Sequence, residues 1–438
     1  MKKTIKTVLS IALVVNFQLS IISIIAAQDT SYMRYNLRSL TSERMKGRGY
    51  SFRGDSIAAE YIRVELKRLG VEPLVEGYYQ PYTFSVHSME GPVSVMVDKK
   101  RLEPYTQYRI PSWSKSSWGD YPIVKVPCET LIDAAKMKKF LNKNNSRLDD
   151  AFVYIDRTTF KADNDEEQKK FDAIMYLLSS RNPFNSKGII VGVKELSTYS
   201  PAGSDKEHSY AYIEVLASEM PRKAKKLNCN FFTQFHPRYQ TQNIYGYVQG
   251  EVDTMIVYSA HYDHLGTMGD SIVFYGAHDN GSGVATLLDI ARDAVTSKPH
   301  YTTVFCFFSG EEAGLKGSKY AVDHPVFDFS KVRLMINIDM FCGGDEGLMI
   351  FNANDPKTTG FVQRLEQINK ALQIVPEIRR RDNRANSDHW FFSQKVPAIF
   401  ILTMGQRYGG YHDPKDTCDR CGLENYINYV TLISALGL

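Results

Sequence analysis

Val304-Phe305-Cys306-Phe307-Phe308-Ser309-Gly310-Glu311-Glu312-Ala313-Gly314 decides how the chain is read. Five apolar residues, three of them aromatic, stop at Ser-Gly, and two adjacent carboxylates follow. An unbroken apolar run of this length reads as a strand buried on both faces. Gly310 lets the chain turn sharply where that strand ends. Acids at such a strand end stand where open α/β sheets place their ligand crevice. Neighbouring side chains point different ways there, so one can hold a metal while the other moves a proton. A pair of solvated glutamates favoured by a helix dipole is the plainer alternative, and the surrounding motifs argue against it.

Outward from this stretch, strands and helices alternate. Thr254 to Ser259, Thr302 to Phe308, Leu334 to Ile338 and Val396 to Leu402 read as strands. Helices are expected from Gly281, from Leu315 to Val322, from Phe361 to Leu372 and from Leu423 to Leu436. Such alternation predicts an α/β three-layer sandwich around a mostly parallel central sheet. Further upstream, Gly47-Arg48-Gly49 and Gly54 mark a loop before a helix over about Asp55 to Leu69, ended by Gly70. Between lie short strands at Val93 to Val97, Ile123 to Val126, Phe152 to Ile155, Gly188 to Val193 and Tyr210 to Leu216. A helix with Phe171, Ile174, Met175 and Leu178 at helical spacing accompanies them. These read as an inserted smaller β-rich domain over 91–225, leaving 28–90 and 226–438 as the main domain. The alternative is that its strands belong to the main sheet.

Four of the main strands end in, or lead into, a possible metal ligand: His261-Tyr262-Asp263 with the following Gly276-Ala277-His278-Asp279-Asn280-Gly281-Ser282-Gly283; Glu311-Glu312; Asn337-Ile338-Asp339; and Tyr411-His412-Asp413-Pro414. Two histidines and three carboxylates converging on one sheet edge suit Zn2+. One carboxylate shared by two such groups would hold two ions about 3.5–4 Å apart.

The 438 residues suffice for one large and one smaller domain. Hydrophobic content of 43% and charged content of 23% are those of an ordinary globular protein. Lys2, Lys3 and Lys6 begin a largely apolar segment ending Ile25-Ala26-Ala27, which reads as a cleaved signal peptide over 1–27, with an uncleaved anchor as the rival. Without those lysines the formal charge of +4 falls to +1, so nothing points to nucleic acid or acidic membranes. Export is expected, to the periplasm or beyond, with no stable membrane association once the leader is removed. Exported cysteines can oxidise; Cys418 and Cys421 are expected to pair, and Cys306 and Cys342 to be buried free thiols. Arg379, Arg380, Arg381, Arg384 and Arg407 read as a solvated basic face, or as a source of one guanidinium for the carboxylate of a short peptide.

His-x-Asp, Gly-Ala-x-Asp-Asn-x-Ser-Gly, Gly-Glu-Glu-x-Gly-Leu-x-Gly-Ser, Asn-x-Asp and Tyr-His, from Asn243 to Cys418, together resemble the co-catalytic di-zinc exopeptidases. That family includes bacterial leucyl aminopeptidases, glutamate carboxypeptidase and the transferrin receptor. The segment from Gly47 to Gly70 is similar to its N-terminal region, and the insert resembles its protease-associated domain. The resemblance implies a zinc aminopeptidase acting on peptides through a water between two zinc ions. It implies that Asp279 bridges the ions, with His261 and Asp339 completing one site and Glu312 and His412 the other. It makes Glu311 the general base and has Asp263 orient His261. It also implies a cis bond between Asp279 and Asn280. His278 reads as a bystander, with a third metal-binding histidine as the alternative. Ser387-Asp388-His389 matches a family motif or caps a helix. Two rival functions share the fold: a single-zinc glutaminyl cyclase, against which Tyr411 stands where Trp is expected, and a non-catalytic binding ectodomain, against which all six residues are present. The oligomeric state is not legible.

Overall fold

A computed structural model describes residues 30–201, 205–405 and 410–437. The leader over 1–27 and Arg407 lie outside the described residues.

The apolar run of the opening stretch forms the strand Tyr301–Phe308, buried almost throughout. Its side chains alternate between two cores. Phe305 and Phe307 pack with Ile256, Tyr258, Leu334, Ile336, Ile399 and the helices Gly54–Leu69 and Ser282–Ser297. Val304, Cys306 and Phe308 pack on the other face with Val257, Met335, Ala398, Ala321 and Phe392. A strand covered on both faces has no polar side to alternate with, which is why its sequence is continuously apolar.

Four parallel strands form the centre, in the order Ala398–Met404, Val332–Ile338, Val252–His261, Tyr301–Phe308. The chain leaves Val252–His261 for a neighbour on one side and later places Val332–Ile338 on the other. The order reverses there, and that reversal opens a crevice beyond the strand ends. Register aligns the ends: His261 pairs with Phe308, Ser259 with Asn337, and Ile338 with Ile401. The fold is thus an α/β sandwich with a mostly parallel central sheet and helices on both sides, as expected.

Two elements are far longer than foreseen, since only Val93 to Val97 reads as a strand there in the sequence. Tyr79–Val97 and Lys226–Val248 are long strands paired antiparallel along most of their length. Lys226–Val248 borders Tyr301–Phe308 at one end and Ser117–Lys125 at the other. The hydrogen-bonded path therefore continues into the parallel strands Ser117–Lys125, Phe152–Asp156, Gly188–Val193 and Ala211–Leu216. Besides the expected helix, now Asp165–Leu177, this region carries Ala134–Leu148, capped by Asp133, whose carboxylate accepts from the N–H of Ala135 and Lys136. Its apolar side chains form cores of their own, and Leu265, Met268 and Phe274 of the main chain pack into one of them.

The cysteine pairing differs from expectation. Cys342 and Cys421 form the disulfide, and Cys418 is a buried free thiol. Cys418 begins a short helical turn in which the Cys421 N–H donates to the Cys418 carbonyl. Cys421 meets instead the loop after Val332–Ile338, where the Gly343 N–H donates to the Gly422 carbonyl at 2.8 Å. The arginine run is also spoken for in part: Arg379 pairs with Glu377, and Arg380 with Glu366. No helix among the described residues is long and apolar enough to cross a membrane.

Candidate active site

The site forms where the central strands end. His261 closes its strand, and its Nε2 lies 3.2 Å from Asp339 Oδ1 and 3.4 Å from Asp279 Oδ1. On the far side of Asp279, His412 Nε2 lies 3.2 Å from Asp279 Oδ2 and 3.2 Å from Glu312 Oε2. One carboxylate thus offers an oxygen to each of two imidazole–carboxylate pairs. All five residues are buried. The structure brings together every residue that the sequence placed at the site.

Backbone geometry fixes these positions. Gly310 adopts φ +73°, and a Cβ there would come within 2.9 Å of the Lys316 Cβ and the Tyr82 hydroxyl. The turn it permits aims the Glu311 and Glu312 N–H groups at the Asp263 carboxylate, each at 3.2 Å. Tyr50 donates its hydroxyl to the same carboxylate at 2.6 Å. Asp263 therefore holds the Glu311-Glu312 turn. The nearer partner of His261 Nδ1 is the Asp263 carbonyl, at 3.1 Å, with carboxylate Oδ1 at 3.7 Å. Both the backbone carbonyl and the carboxylate of Asp263 therefore face this nitrogen of His261.

The Asp279 loop is held from both ends. Asp416 accepts from the N–H of His278 and Asp279. Asn280 follows a cis peptide bond, donates to the Ile338 carbonyl, and accepts from Gly283 and Met340 N–H. Behind them Arg48 is fully buried. Its guanidinium donates to the carbonyls of Leu40, Tyr262, Tyr275, Gly276 and Asp279, using the planar fork that arginine alone supplies. Burial lowers that guanidinium to about 10, and Asp279, Asp416 and Asp263 oppose the shift.

On each side of the site one carboxylate oxygen is taken by a donor while the other faces an imidazole. Ser387 donates to Asp339 Oδ2 at 2.8 Å, and His264 Nδ1 lies 2.8 Å from Glu312 Oε1. His264, Arg48, Tyr50 and Asp416 escaped the sequence reading. His264 directly follows His261-Tyr262-Asp263, and that adjacency was the available signal. His278 points elsewhere, its Nδ1 3.4 Å from the Cys342 sulfur. Burial lowers its imidazole to about 4, the form of a neutral bystander.

Carboxylates crowd this site. Asp263, Asp279, Glu312, Asp339 and Asp388 are all buried here, a costly crowd of like charges. Burial alone would lower the His412 imidazole, yet Glu312 and Asp279 outweigh it and hold His412 at about 10. Against its own burial His261 is likewise raised, by Asp339 and Glu311. Burial would raise Asp279, but its contacts to His261 and His412 hold it well below the usual range. Glu311 behaves oppositely: burial raises it, and Glu312, Asp339 and Asp388 add to the rise against the pull of His261. Among the described residues no hydrogen bond or ion pair holds the Glu311 carboxylate. Both imidazole shifts come from the surrounding carboxylates, the same surroundings that would favour a cation. A tetrahedral zinc with ligands at 2.0–2.1 Å sets those ligands about 3.3 Å apart, and the 3.2–3.4 Å separations fit that.

Residues 243–436 match the model of peptidase family M28. A probable leucine aminopeptidase of Arthroderma otae is 26% identical over 208 residues, which cover 45% of this chain and 57% of that protein. The chain thus spans little more than half the length of that relative. Among solved structures, a zinc aminopeptidase from Bacillus subtilis superposes with a TM-score of 0.65 at 16% identity, covering 93% of this chain and 94% of the other. An aminopeptidase from Aneurinibacillus sp. strain AM-1 gives 0.60 at 19% identity, covering 94% of each. These two likenesses establish the shared fold. The match to peptidase family M28 falls on residues 243–436, the region whose strand ends carry the paired histidine and carboxylate groups.

Proposed function

We propose that the protein is an exported zinc aminopeptidase that removes N-terminal residues from peptides, with two zinc ions shared by Asp279. The observation that carries this reading is the Asp279 carboxylate, one oxygen facing His261 and the other His412. His261 and Asp339 would hold one ion, and Glu312 and His412 the other. The ions would supply Lewis acidity toward the scissile carbonyl and the attacking water.

The chain's own groups do the rest. Glu311, whose carboxylate has no hydrogen-bonded partner among the described residues, takes a proton from the attacking water and delivers it to the leaving amine. Asp263 keeps Glu311 and Glu312 on one rigid turn through their N–H groups. Arg48 and Asp416 hold the backbone on either side of Asp279. The relatives named aminopeptidase support this substrate class. The insert over 91–225 is read as a separate smaller domain on the main one.

Elemental analysis with a panel of aminoacyl reporter substrates tests the reading. Two zincs per chain are expected, with activity lost on chelation and regained with zinc. One ion with no aminopeptidase turnover would indicate a cyclase-like site, and none a binding protein. Export has its own check: intact mass of the mature chain should begin at Gln28, and a chain retaining Lys2 and Lys3 would contradict leader removal.

A further inference from the structure

We propose that His264 is a positioning residue for the Glu312 side of the site, holding Glu312 Oε1 so that only Oε2 is left for an ion. The inference rests on the two-ion reading above and adds a residue to it.

Three observations carry it. His264 Nδ1 and Glu312 Oε1 are 2.8 Å apart, a hydrogen-bond distance. The neighbouring contacts of His412 Nε2 with Glu312 Oε2 and Asp279 Oδ2 are both 3.2 Å, the spacing of two ligands around one ion. His264 and His412 therefore address different oxygens of Glu312 at different kinds of distance. Second, the His264 ring is fully buried and cannot swing aside. A Cβ on Gly276 would come within 2.4 Å of its Cδ2, so the absence of a side chain at Gly276 makes the slot in which the ring lies. The His264 N–H also donates to the Arg48 carbonyl at 3.2 Å. Third, His264 Nε2 is buried without a partner. A carboxylate oxygen accepts, so Nδ1 is the nitrogen that donates to it. The ring thus gives its Nδ1–H to Glu312.

The consequence is single-oxygen binding by Glu312. A carboxylate with a free second oxygen can swing to offer both; one with Oε1 taken cannot. Partners of this kind orient the ligand, and their loss costs about 10–100-fold in metal affinity.

The test compares His264→Ala with His264→Asn, whose amide nitrogen can stand near Nδ1 and donate to Oε1. Zinc dissociation constants are measured by competition with a chromophoric chelator, alongside melting of the metal-free proteins. In His264→Ala one ion should weaken by about 10–100-fold and the other by less than about twofold. His264→Asn should recover most of that loss. Unchanged affinities in His264→Ala would overturn the proposal while leaving the two-ion reading intact. So would an Asn variant as weak as Ala whose metal-free form melts like wild type. Wild type taking up fewer than two ions would overturn the two-ion reading and this inference with it.

Discussion

At the scale of single residues, Asp279 organises the site, and its neighbours are tuned by it. His412 is held at about 10 by Glu312 and Asp279 against the effect of burial. Its folded value is raised above the ordinary imidazole, so in the metal-free protein the charged form adds stability. That stability is fully present below pH about 6.5 and fades as pH rises through about 10. A metal needs the neutral ring, so ion uptake near pH 7.5 should release protons, and apparent affinity should climb with pH toward 10. Calorimetry in buffers of different ionisation enthalpy reads the proton count; zinc uptake with no release would contradict the picture. Asp279 and the four residues around it were legible because each ends a strand or follows a small-residue loop. Arg48 was not, because an arginine between two glycines reads as an exposed loop until its five carbonyl partners are seen. His264 was hidden by its neighbours, since a histidine beside a likelier ligand adds no periodic signal of its own.

At the scale of elements, the four central strands were readable because burial on both faces makes their central residues mostly apolar. The long pair Tyr79–Val97 and Lys226–Val248 was not, because its burial changes along its length and polar residues such as Gln240, Gln242 and Asn243 interrupt it. The Cys342–Cys421 bond ties the loop after Asp339 to the segment after His412, across 79 residues of sequence. Spacing alone favoured Cys418–Cys421, but pairing is decided by which loops the sheet brings together. Cys421→Ser should cost about 2–4 kcal/mol in chemical denaturation, since closing a long loop restricts the unfolded chain. Cys418→Ser should cost less than that. Non-reducing peptide mapping should recover a Cys342–Cys421 peptide; a Cys418–Cys421 peptide would contradict the pairing.

At the scale of the whole molecule, the region over 91–225 reaches the site. Tyr105 donates its hydroxyl to the His412 carbonyl at 2.7 Å, and its ring packs edge-on against Phe274. Tyr199 stacks on the same Phe274 and donates to the Thr267 carbonyl. This region thus braces His412 through its backbone carbonyl. Tyr105→Phe keeps the ring contact and removes one hydrogen bond, worth about 1 kcal/mol. Zinc at the His412 side should then bind about fivefold more weakly, with the melting temperature nearly unchanged. Wild-type affinity in that variant would show that the brace does not act on the metal.

The most direct test of the two-ion, single-base reading compares Glu311→Gln with Glu312→Ala. Their N–H groups share Asp263, but Glu312 faces His412 and Glu311 has no such partner. Glu311→Gln keeps its shape and cannot accept a proton. It should bind two zincs and substrate normally while kcat falls about 10²–10⁴-fold. Glu312→Ala should lose zinc at one site. Zinc per chain and turnover, measured side by side, decide the matter. Loss of zinc in Glu311→Gln with both ions kept in Glu312→Ala would reverse the two roles, and full activity in both variants would contradict the site itself.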